Sequence, residues 1–132
     1  MWRIGALALH IGRRGAALIF FALLDLLYAA SLANPPAEAK LSPTLAFIRD
    51  VLPLGVWAGM WAGVGFTCLA GAFMRRDRWA FSAAMALKVL WGSTFLAGWL
   101  AHQVERGWVT AVIWLAMAAW IAIIASWPEP SR

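Results

Sequence analysis

Residues 15–33 read GAALIFFALLDLLYAASLA, nineteen residues with one charge, at Asp25. At 1.5 Å per residue a helix of this length covers roughly 28 Å, about the thickness of a bilayer's hydrocarbon core. Nine Leu, Ile and Phe side chains favour insertion by about 4 kcal/mol, against roughly 3 kcal/mol opposed by Asp25. The segment can therefore cross a membrane alone. A rival reading treats Arg13-Arg14, the apolar core and Ser31-Leu32-Ala33 as a cleaved secretory signal. Asp25, in the middle of that core, argues against it.

Three more segments share this character. Residues 51–73 (VLPLGVWAGMWAGVGFTCLAGAF), 79–101 (WAFSAAMALKVLWGSTFLAGWLA) and 108–127 (WVTAVIWLAMAAWIAIIASW) are each long and apolar enough to span. The connectors MRRDR and HQVERG are short, so neighbouring spans run antiparallel. The loop 34–50 is the longest hydrophilic stretch. It opens on Asn34-Pro35-Pro36, which stops the first helix, and carries Ser42-Pro43, a helix-start signal. The next helix is thus expected from Pro43, entering the membrane near Val51, with Pro53 as a kink. Composition agrees: the 132 residues are 64% hydrophobic and 13% charged, about half the charge of a soluble domain. The expected fold is an all-α membrane protein, a single domain over 1–132. It is a four-transmembrane-helix up-down bundle with a short N-terminal amphipathic segment. No internal repeat is evident.

Within residues 1–14, Arg3, His10 and Arg14 share one helical face, opposite Trp2 and Ile11. A helix lying in the headgroup plane and a plain extension of the first span both fit. The net charge of +5 sits in short clusters flanking apolar runs, which points to membrane orientation and lipid rather than nucleic acid. Arg13, Arg14, Arg75, Arg76 and Arg78, with Arg3 and Arg132, gather on one side of a four-span topology. Lys40, Arg49 and Arg106 fall on the other. The bias places the N- and C-termini in the cytoplasm and the protein in the cytoplasmic (inner) membrane.

Asp25 and Lys88 are the only ionisable residues deep in the spans. Each lies nine or ten residues into a helix leaving the same side, so both sit roughly 14–15 Å deep. Opposite charges at equal depth on parallel helices should pair. Tyr28 is placed one turn from Asp25 to donate to its carboxylate, and Trp91 one turn from Lys88 to face its ammonium. The pair reads either as a register-fixing clasp or as a proton or ion site. In a third reading Lys88 snorkels away.

Gly55, Gly59 and Gly63 form a double G-x-x-x-G in the second span, open to packing within one chain or to self-association as a homo-oligomer. Of ten tryptophans, Trp2, Trp79, Trp108 and Trp127 mark span ends, while Trp57, Trp61, Trp91, Trp114 and Trp120 lie deeper. Cys68, the one cysteine, reads as a buried inert thiol. His10 and His102 fall on opposite sides of the membrane, against a haem pair. No nucleophile–base set, phosphate loop or metal-ligand cluster is found, so neither enzyme activity nor a cofactor or metal is expected.

Arg75-Arg-Asp-Arg-Trp79, Lys88-Val-Leu-Trp-Gly92, Arg106-Gly-Trp108 and Trp127-Pro-Glu-Pro130 together resemble the uncharacterised four-span membrane proteins of actinobacterial phages and their hosts. The resemblance covers the whole chain through general texture. It implies a holin-like role: self-assembly in the cytoplasmic membrane and a lesion serving an endolysin. Many holins end in a strongly basic tail, where this chain has Arg132 alone. Two alternatives stand beside it. Small multidrug-resistance transporters also have four spans and a carboxylate in the first, though theirs is a glutamate, and their fourth span carries glycines that residues 108–127 lack. The other alternative is a non-catalytic accessory subunit docked through the glycine face.

Overall fold

A computed structural model describes residues 2–128, with side chains from residue 11 onward. The side chains of Trp2, Arg3 and His10, and residues 129–132 including Arg132, lie outside the described residues. All secondary structure described is helical. Six helices follow in order: α1 (Trp2–Ala33), α2 (Ala37–Lys40), α3 (Pro43–Val51), α4 (Leu54–Ala72), α5 (Arg78–Leu100) and α6 (Gly107–Ala125). Four segments are long and apolar enough to cross a membrane: Ile11–Ala33, Leu54–Ala72, Arg78–Leu100 and Gly107–Ala125. The protein is a small multi-span membrane protein built as an all-α four-span bundle.

The boundaries depart from expectation where the backbone is special. Near the start of the first span, Gly12 interrupts the helix with φ 66 and ψ −176. A positive φ is open to glycine without a Cβ clash, and the break lets the chain before it take its own direction. The second span begins at Leu54 rather than residue 51. Pro53 does not kink a continuous helix but ends one: Leu52, just before it, is extended at φ −146 and ψ 146, as pre-proline sterics favour. α3 is therefore separate. It does start at Pro43, after Ser42 in an extended cap conformation.

α3 folds back over one end of the bundle. Ile48 is buried, Phe47 packs at Gly98, and the Trp57 indole donates to the Ile48 carbonyl at 3.0 Å. We call this the loop end. The other, the terminal end, carries Gly12, the α4–α5 turn and the close of α6.

α1 packs chiefly on α4, and α5 on α6, making two antiparallel hairpins joined along α4 and α5. Small residues set these approaches. A Cβ on Gly65 would meet the Leu26 side chain at 2.8 Å and the Ala22 carbonyl at 3.3 Å. One on Gly92 would meet Leu115 at 3.1 Å and the Ala111 carbonyl at 3.3 Å. Contacts this close bring whole backbones together, which is how helices gain van der Waals energy in lipid.

The hairpins repeat one burial pattern. Leu18, Phe21, Asp25, Ala29 and Leu32 of α1 are buried, and so is the residue 63 positions after each, from Phe81 to Phe95 on α5. On α4, Ala58, Trp61, Gly65, Cys68 and Gly71 are buried, and each has a buried counterpart 53 positions later on α6. The residue types differ, so the repeat is invisible to a reading by identity. It has the form of parallel repeats about an axis along the membrane normal.

Candidate functional site

The interior is built in layers. At the terminal end Arg14 is buried, 3% exposed. Its Nε donates to Asp77 Oδ2 at 3.0 Å and its Nη2 to Asp77 Oδ1 at 2.5 Å. The same guanidinium donates from Nη1 to the carbonyls of Ala125 at 2.7 Å and Trp127 at 2.6 Å. One planar cation thus grips a carboxylate bidentately and closes the end of α6, where carbonyls lack helical partners and the dipole favours positive charge. Phe81 lies 4.8 Å from the guanidinium carbon, ring centroid to Cζ. Arg14, grouped by sequence with the cytoplasmic basic clusters, is thus a buried partner of Asp77. Arg13, Arg75, Arg76 and Arg78 are exposed as expected.

Next comes an apolar layer of Leu18, Phe21, Ala22, Cys68, Phe81, Ala84 and Ile121. Cys68 is fully buried, with its thiol 3.8 Å from the Ala80 carbonyl.

Above that layer Lys88 Nζ donates to Asp25 Oδ1, and both side chains are 0% exposed. Asp25 and Lys88 meet across the bundle as depth-matched partners. The supporting roles are reassigned. Lys88 Nζ lies 4.8 Å from the Trp61 ring rather than over Trp91, because its stem crosses from α5 to α1 and α4 lies beside that crossing. Tyr28 makes no hydrogen bond to Asp25. Its ring packs against Trp61 at 4.4 Å, Trp114 at 5.3 Å and Trp91 at 5.7 Å.

Those rings belong to an aromatic layer toward the loop end. Trp57 and Trp91 meet edge-on at 4.9 Å, Trp61 and Trp91 at 5.6 Å, and Trp91 and Phe95 at 5.2 Å. Trp57, Trp61, Trp91 and Trp114 are all buried. Trp120 is not; like Trp79, Trp99, Trp108 and Trp127 it faces outward. Three buried polar atoms in this region have no hydrogen-bond partner: Asp25 Oδ2, Trp61 Nε1 and Trp91 Nε1.

The glycine stripe faces away from all of this. Among the described residues, a Cβ added at Gly55, Gly59 or Gly63 would meet nothing within 4 Å. Trp57, Trp61, Gly65 and Cys68 occupy the inward face of α4 and turn the stripe out.

Among the described residues no group of three or more metal-ligating side chains is found. No known protein-family profile, curated protein or solved structure matches the chain.

Proposed function

We propose that the protein is a non-catalytic, self-associating, holin-like protein of the cytoplasmic membrane, with both termini in the cytoplasm. One observation carries this reading: Gly55, Gly59 and Gly63 form a smooth stripe on the outside of α4 with open space before it. Such a stripe lets a second helix approach closely in lipid. The interior of one bundle is taken up by indoles and two ion pairs, so a lesion would have to form between copies. The exposed arginines 13, 75, 76 and 78 at the terminal end support the orientation.

Inducible expression with a membrane-potential dye tests it, with and without a co-expressed endolysin. The expected result is an abrupt loss of potential, followed by lysis when endolysin is present, both abolished by Gly59→Leu. Continued growth at normal potential refutes it. In a Cys68→Ala background, Gly59→Cys should form disulfide-linked dimers. Cross-linking only to a foreign protein would move the reading to an accessory subunit.

A proton- or cation-coupled transporter is the second reading. The unpartnered Oδ2 of Asp25 favours it. Its mark would be cation resistance or proton-coupled uptake that disappears in Asp25→Asn.

A further inference from the structure

The surroundings of the Asp25–Lys88 pair differ at its two ends. Toward the terminal end lie only apolar side chains, until the Arg14–Asp77 clamp eleven residues away along each helix, about 16 Å. Toward the loop end, one turn from Asp25 and Lys88, lie Tyr28 and Trp91. Both also line a cavity of about 290 Å³ beneath the folded-back loop. Its walls mix Ser42 and Thr44 with Leu45 and Phe95.

The unsatisfied atoms fall on that same side or at the pair itself. Among the described residues, the Trp61 indole N–H has no acceptor and Asp25 Oδ2 no donor, while the Trp91 N–H has only the nearby Tyr28 hydroxyl, in a geometry short of a good hydrogen bond. Trp61, Asp25 and Trp91 are 0%, 0% and 2% exposed, in that order. A buried polar atom left unpaired costs roughly 1–3 kcal/mol, so each of these calls for a partner. Water supplies the match: its oxygen accepts two N–H bonds, and its own hydrogen donates to a carboxylate oxygen. An occluded water needs two to four polar partners, and these donors and the carboxylate oxygen are of the kinds it can bridge.

We propose that the loop-end cavity is a hydrated vestibule from which water reaches Asp25 past Tyr28, held by the indole N–H groups of Trp61 and Trp91. The terminal end also has a cleft, about 580 Å³ around Arg14, but the apolar layer of Leu18, Phe21, Ala84 and Cys68 stands between it and the pair, so the route to Asp25 runs from the loop end. The vestibule belongs to a single chain and does not depend on self-association.

The test uses the protein in lipid nanodiscs with ¹⁵N-labelled tryptophan, the indole resonances being assigned by single Trp→Phe variants. Water-to-indole cross-relaxation and exchange into D₂O are read at each Nε1–H. Trp57 is the internal control, since its N–H is bonded to the Ile48 carbonyl. The expected result is water cross-peaks at Trp61 and Trp91, with exchange about tenfold or more faster than at Trp57. Filling the cavity with Ser42→Phe or Ala39→Phe should slow those two protons to the Trp57 rate. An unchanged Trp57 signal certifies that the filled variant is folded. Absence of water cross-peaks at both indoles overturns the proposal. So does fast exchange that neither filling variant slows, because water would then enter by another route.

Discussion

Neutralising one member of the central pair should damage the bundle far more than neutralising both. The perturbations are Asp25→Asn, Lys88→Met and their combination, each close in shape to the original. Asp25 and Lys88 are both 0% exposed, so each single change leaves a charge inside the bundle without its counter-ion. Breaking a buried pair in this way costs about 3–5 kcal/mol. The two losses should be unequal. In Asp25→Asn the ammonium keeps the face of Trp61, 4.8 Å away, an interaction worth up to about 2 kcal/mol when desolvated. In Lys88→Met the carboxylate loses its one charged donor and has no aromatic face to fall back on. Lys88→Met should therefore be the worse variant, by about 1–2 kcal/mol. The double variant removes both charges and should return to within about 1–2 kcal/mol of wild type. The coupling energy then comes out at several kcal/mol, beyond the roughly 0.5–3 kcal/mol of ordinary contacts. Reversible unfolding in mixed detergent micelles, followed by fluorescence of the buried tryptophans, measures all four proteins. Two results would refute the reasoning: single variants as stable as wild type, or a double variant that loses the sum of the two.

Other outcomes follow from the remaining geometry. Arg14→Lys should lose about 1–3 kcal/mol in the same unfolding assay, since a point charge cannot serve Asp77 and two carbonyls at once; wild-type stability would show the fork to be unnecessary. Gly71→Ala puts a methyl 2.5 Å from Ala80 Cβ and should destabilise by about 1–3 kcal/mol, whereas Gly59→Ala should stay within about 0.5 kcal/mol of wild type. Equal effects at the two glycines would mean that α4 is turned differently. Cys68, fully buried, should resist maleimide in nanodiscs and react at once in denaturing detergent, as mass spectrometry can follow. Prompt labelling of the folded protein would contradict that burial.

The four spans and the central pair were legible in the sequence, because hydropathy and rise per residue are enough to set length and depth. The Arg14–Asp77 clamp was not read, although the signal existed. The 63-residue spacing that matches Asp25 with Lys88 also separates Arg14 from Asp77. Counting arginines for orientation concealed it, since a basic residue at a span end has an ordinary use there. The facing of the Gly55–Gly63 stripe lay beyond reach for another reason. α4 is apolar all round, so no polar stripe marks an outer face, and bulky Trp57 and Trp61 decide what turns inward. The start of α4 was missed because Leu52 and Pro53 were read as a kink. Proline's constraint on its predecessor ended α3 outright.

The two ion pairs also act as a parity check on assembly. Read toward the loop end, α1 carries plus then minus, at Arg14 and Asp25, while α5 carries minus then plus, at Asp77 and Lys88. Two first hairpins set side by side in the bundle's own register would oppose Arg14 to Arg14 and Asp25 to Asp25. Two second hairpins would fare no better. In this register a first hairpin meets complementary charges on a second hairpin and like charges on another first one.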